Sequence, residues 1–242
     1  MSHIIEFRHR AHEVSRIEAF SDVVFGFAMS LLVVSLEAPK SYQELLETLR
    51  GVVPFAFCFF IFIMIWWEHH RLFKRYALHD VTMIAINTVL LFVILVYVYP
   101  LKFMAQVATR HSHAADIPPD GYIFLFTIYG IGFAAVFWLL AAMFAHAYRR
   151  REKLALNEVE RIDTLERIYD DFFMGLFGIL SLLLARSPFP QFAGLVYFLI
   201  AIPKTIIPTV FGRRRSAAER RMLAASSPQL PGPGAPEQSP AH

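Results

Sequence analysis

The sequence predicts an all-α membrane protein of six transmembrane helices with both termini in the cytosol. Three observations predict it. The 242 residues are 56% hydrophobic and only 18% charged, against about 25% charged residues in soluble domains. Six charge-poor runs, roughly 17–38, 52–73, 81–105, 121–147, 168–186 and 190–211, are each close to the ~20 residues that cross ~30 Å of hydrocarbon as a helix. They do not alternate as the ~10-residue strands of a membrane barrel do. Lys and Arg then divide seventeen to five between the two sets of loops, with Lys204 inside the sixth run. The richer side is the cytosolic one, and it holds both ends of the chain.

Each element follows in turn. The first sixteen residues, MSHIIEFRHRAHEVSR, are polar and basic. They lack the apolar core and small-residue cleavage site of a signal peptide, so this end is expected to stay in the cytosol. The first run carries Arg16, Ser21 and Asp22 at its entrance, then VVFGFAMSLLVVSL without a charge. Segment 39–51 is expected to be a short polar helix or loop outside. The second run ends in Trp66-Trp67-Glu68-His69-His70-Arg71-Leu72-Phe73. The loop 106–120 holds His111, His113 and Asp116, a spacing that lacks the second ligand cluster of a zinc site. Segment 148–167 reads as a charged cytosolic helix continuing the fourth run. Asp170 and Asp171 read as helix-start residues of the fifth, where carboxylates favour the positive end of the dipole. Pro203 and Pro208 interrupt the sixth. Residues 1–212 form one membrane domain, and 213–242 read as a cytosolic, disordered tail that is basic at first and rich in Pro, Ser and Ala at its end. Cys58 stands alone, which excludes an intrachain disulfide.

The topology places polar residues of three helices at one depth. Ser21 and Asp22 lie in the first turns of the first helix. Trp66, His69 and His70 lie at the cytosolic end of the second, and Asn87 lies about two turns into the third. Buried polar groups in a bilayer need partners. Trp and His N–H groups donate and a carboxylate accepts, so these residues are expected to form a clasp. Arg16 and Asp22, about 240° apart at ~100° per residue, do not face each other. On the charge-free part of the first helix, Val23, Phe27, Ser30, Leu31 and Val34 share one face at helical spacing.

Arg16-x-x-x-Phe20-Ser21-Asp22 resembles the signature of the transmembrane protein 175 family of potassium channels. Trp66-x-x-His69-His70-x-x-Phe73 and Asn87 resemble its other recurring features, and the likeness covers residues 16 to about 105. The resemblance implies a homotetramer whose pore is lined by the first helix of each subunit. It implies an apolar constriction in place of a carbonyl filter loop, with potassium as the permeant ion and no cofactor. It assigns Phe27, Leu31, Val34, Ser30 and Val23 to the pore. Arg16, Phe20, Ser21, Asp22, Trp66, His69, His70 and Asn87 go to the clasp. Where the family usually carries Ile or Leu, this chain has Phe27; where it often carries Asn, it has Glu68.

The chain has no TVGYG. Thr127-Ile128-Tyr129-Gly130-Ile131-Gly132 is a loose echo inside the fourth run. The leading function is therefore a potassium-preferring channel of the cell membrane. No nucleic-acid partner is expected: the basic runs read as membrane anchors, and lipid and further copies of the chain are the expected partners. The alternative is a secondary transporter or proton-coupled carrier using Asp22, His69 and His70 as a relay. An enzyme with a metal at Asp170-Asp171 is disfavoured, because adjacent carboxylates point about 100° apart on a helix.

Overall fold

The computed structural model describes residues 7–10, 13–33, 41–109, 118–188 and 192–226. Within them every regular element is a helix: α1 (Arg16–Val33), α2 (Tyr42–Tyr76), α3 (Val81–Thr109), α4 (Pro119–Arg149), α5 (Glu158–Ala185), a 3-10 turn (Leu195–Ile200) and α6 (Ala201–Ser226). Four stretches, Val81–Phe103, Gly121–Arg149, Glu158–Ala185 and Leu195–Ala225, are long and apolar enough to cross a membrane by length and composition. The helix α1 carries Arg16, Glu18 and Asp22 within its 18 residues.

Helices α1, α2 and α3 pack on one another, α3 packs on α4, and α4 and α5 form the most extensive pair, with α6 against α5. Glycines set the α4–α5 separation. A Cβ added to Gly130 would collide with the carbonyl oxygen of Gly178, and one added to Gly178 with that of Gly130. The echo Thr127–Gly132 is thus a helix-packing surface inside α4.

Several sequence boundaries shift. Segment 39–51 does not stand apart: from Tyr42 it is the first part of the 35-residue α2. The linker 148–167 does not continue α4. The chain turns after Arg149, passes Ala155 at a positive φ of 47°, and restarts at Asn157. There the Asn157 side chain accepts from the Glu160 amide at 2.8 Å, and the Glu160 carboxylate accepts from the Asn157 amide at 3.1 Å. This capping box satisfies helix-end amides that would otherwise be orphaned. It also moves Asp170 and Asp171 from a helix start to the middle of α5, so dipole capping does not explain them. The boundary at 212/213 falls inside α6, which runs through Arg213-Arg214-Arg215 to Ser226. Residues 227–242, Val34, and the loop with His111, His113 and Asp116 lie outside the described residues.

A short N-terminal stretch straps the bundle. Phe7 is buried, edge-on to Tyr76 at 5.5 Å and beneath the Arg75 guanidinium at 4.5 Å. Arg10 reaches the Glu160 carboxylate at 2.7 Å and the Leu154 carbonyl at 3.0 Å, while the Arg8 amide donates to Glu160 at 3.0 Å. Glu160 therefore caps α5 and holds the segment before α1 at once.

Candidate functional site: a three-helix clasp behind an exposed face of α1

The start of α1 is set by Ser15, whose hydroxyl accepts from the Glu18 amide at 3.3 Å, in the manner of an N-cap. Ser21 and Asp22 are therefore free of capping and point sideways. Ser21 Oγ donates to the Ile17 carbonyl at 2.7 Å and accepts from Asn87 Nδ2 at 2.9 Å. The Asn87 carbonyl oxygen accepts from His69 Nε2 at 2.7 Å. An amide oxygen only accepts, so His69 carries its proton on Nε2. Ser21, His69 and Asn87 are all buried.

A second pair of contacts joins α1 to α2. The Trp66 indole N–H donates to Asp22 Oδ1 at 2.7 Å. One turn nearer the N-terminus, Glu18 Oε1 lies 3.3 Å from His70 Nδ1. The His70 ring stacks on Trp66, 5.6 Å between centroids at 22°. The pattern is a two-rung ladder, Glu18 and Asp22 at i, i+4 facing Trp66 and His70 at i, i+4, the spacing that puts helical side chains side by side. Sequence reasoning missed Glu18. The S-x-x-E start and the four-residue step to Asp22 were the available signal.

The structure brings together Ser21, Asp22, Trp66, His69, His70 and Asn87, and it separates two others from them. Arg16 is exposed, and Phe20 is 62% exposed. Both lie on the opposite line of α1, with Val23 at 70% and Phe27 at 56% exposure, and Ser30 also exposed. Steps of 4, 3, 4 and 3 residues make this one continuous helix face. Leu31 is half-buried and packs partly against the core. The Ser30 hydroxyl donates back to the Gly26 carbonyl at 2.9 Å, so the face presents mainly apolar groups. Phe25, on the packed side, is fully buried against the His69 ring at 5.3 Å.

Glu68 does not add its charge to this network. It turns to another side of α2 and meets Arg167 at 3.3 Å and Arg71 at 3.5 Å. Asp170 pairs with Lys204 at 2.6 Å. Among the described residues no three His, Cys, Asp or Glu side chains gather as metal ligands. Asp22, His69 and His70 meet three different partners, Trp66, Asn87 and Glu18.

The family described as "Endosomal/lysosomal potassium channel TMEM175" matches residues 16–100, the part of the chain that contains α1, α2, the clasp and most of α3. A potassium channel of Marivirga tractuosa is 37% identical over 235 residues, spanning 90% of this chain and 94% of that relative. The chain belongs to the TMEM175 family. The crystal structure of a variant of the potassium channel MtTMEM175, bound to a nanobody fusion protein, superposes with a TM-score of 0.73 at 36% identity. It covers 88% of this chain and 97% of that one. A TMEM175 homologue from Chamaesiphon minutus shares the fold at a TM-score of 0.52 and 20% identity, over 85% of this chain and 99% of that one. TMEM175 proteins are ion channels by these descriptions, and enzyme chemistry has no place in the family.

Proposed function

We propose that the chain is one subunit of a potassium-preferring cation channel, with α1 of several copies, four by family resemblance, surrounding the pore. The observation that carries this reading is the division of α1 into two faces. One face is fixed to α2 and α3 by hydrogen bonds through Ser21 and Asp22. The other presents Val23, Phe27 and Ser30, which are exposed among the described residues. A helix so held can keep an apolar ring in register around an axis. A narrow apolar ring conducts only ions that shed water, which favours potassium over the more tightly hydrated sodium. Phe27 is the bulkiest side chain on the charge-free part of that face, beyond Asp22, and is assigned the constriction, with Leu31 and Val34 above it.

Six helices cross the membrane in this reading, α1 and α2 included, with both termini cytosolic and lipid around the outside. A bacterial plasma membrane is the proposed location. The domain ends within α6, and residues beyond it form a cytosolic tail. Potassium is the permeant species and no cofactor is required. Purified protein in liposomes tests the function: passive, non-saturating potassium flux exceeding sodium flux is expected. Saturating flux coupled to a counter-ion or proton would establish a carrier instead.

A further inference from the structure

The helix α6 changes chemistry along one face. Ile202, Ile206 and Val210 are 54%, 55% and 44% exposed. At ~100° per residue, Arg213 and Arg220 continue the same line, and Arg214 flanks it; all three are exposed. The opposite face carries Ile207, Phe211 and Ala218, which are buried, and Lys204 and Arg215, which meet carboxylates of α5. Lys204 pairs with Asp170 at 2.6 Å and Arg215 with Asp163 at 3.3 Å. Arg221 also reaches Glu158, at 3.4 Å. Near the end of α6 that carries the arginines, Asp163 and Glu219 are thus engaged by Arg215, and Glu158 by Arg221. Arg213, Arg214 and Arg220 have no carboxylate partner among the described residues, although Arg214 lies over the Phe211 ring at 5.7 Å.

We propose that Arg213, Arg214 and Arg220 form a docking surface for anionic phospholipid headgroups of the cytosolic leaflet. An exposed aliphatic line that becomes an arginine line is what a helix shows when one face passes from acyl chains to phosphates. The three arginines span about 10 Å of axis, within reach of a headgroup layer some 5–8 Å deep for side chains as long as arginine's. The guanidinium fork matches a phosphate with two parallel hydrogen bonds. Juxtamembrane basic clusters add attraction to anionic lipid with each charge. The inference rests on the topology proposed above, which puts the end of α6 in the cytosol.

The test uses the full chain in detergent, titrated with phosphatidylglycerol, phosphatidylcholine or free glycerol phosphate while thermal unfolding and oligomer mass are followed. Phosphatidylglycerol should raise the unfolding temperature and the other two should not. In Arg213→Gln/Arg214→Gln/Arg220→Gln the half-saturating phosphatidylglycerol concentration should rise about five-fold per arginine, the equivalent of ~1 kcal/mol each. Arg215→Gln should lower the starting stability and keep the wild-type response. An unchanged midpoint in the triple variant, or an equal effect of glycerol phosphate, overturns the lipid surface. So does loss of the oligomer at an unchanged midpoint, which would show the face joins copies. A cysteine at Ala224 in a Cys58→Ala background, labelled in sealed vesicles, separates the two failures: reaction from outside overturns the topology, whereas reaction from inside with no lipid effect overturns only the docking surface.

Discussion

Trp66 donates its indole N–H to the carboxylate of Asp22 at 2.7 Å, across the α1–α2 boundary. The bond fixes α1 to the subunit on the side away from its exposed apolar face. Trp66→Phe keeps most of the ring and removes the donor. The variant should lose about 1 kcal/mol, the usual net contribution of one hydrogen bond, because Asp22 and Trp66 are half-buried, and Asp22→Ala should lose a similar amount. Thermal unfolding in detergent measures both. Wild-type stability in Trp66→Phe would show that the bond contributes nothing. Asp170→Ala, at a position the sequence reads as a helix start, should also destabilise the protein, because it removes the carboxylate that lies 2.6 Å from Lys204.

The α4–α5 contact predicts a steric effect. Gly130→Ala places a methyl against the Gly178 carbonyl, whereas Gly212→Ala meets nothing within 4 Å. Overpacking of this kind costs about 1–3 kcal/mol. A lower unfolding temperature is expected for the first and little change for the second. Equal stability of the two would mean that the helices do not approach this closely.

The N-terminal strap depends on Glu160. Glu160→Ala removes the acceptor of the Arg8 amide and the partner of Arg10. Hydrogen exchange at the Arg8 amide should accelerate at least ten-fold while exchange in the middle of α3 stays at the wild-type rate. Unchanged exchange at Arg8 would detach the strap from the bundle.

Asp80, between α2 and α3, predicts a pH effect. Burial pushes its carboxyl up, but the hydrogen bonds from His146 and the Met83 amide, with the Arg150 charge, outweigh that and hold it below the ordinary carboxylate value. A carboxylate with a depressed folded value stabilises the protein above its unfolded pKa, and that contribution disappears as pH falls through the folded one. Asp80→Asn should therefore be less stable than wild type at pH 7, with the gap closing below about pH 4. A gap that does not shrink as pH falls below the ordinary carboxylate value of about 4 would contradict the ion pairs.

Much of the site was legible because depth in a bilayer constrains polar residues strongly. Ser21, Asp22, Trp66, His69, His70 and Asn87 could be placed together from topology alone. Their pairing was not legible. His69 meets Asn87 and not Asp22, because the rotation of α2 about its axis decides which of two adjacent histidines faces which helix. Phe20 and Arg16 were grouped with the clasp through their shared motif, yet helical phase puts them on the line of Val23 and Phe27. The Asn157 restart was hidden by a run of charge on both sides of the turn. The capping pair Asn157 and Glu160 was its only mark.

In the proposed channel the exposed face of α1 lines the ion path, and the potassium-to-sodium permeability ratio of reconstituted Phe27→Ala reports on it. Phe25→Ala is the comparison, because Phe25 is buried against His69 within the subunit. Removing the Phe27 ring should widen the constriction, raise total flux and lower the ratio towards one. Phe25→Ala should lose about 3–5 kcal/mol of stability while the ratio of the surviving channels stays near wild type. An unchanged ratio in Phe27→Ala, or the same drop in both variants, would contradict a pore lined by α1.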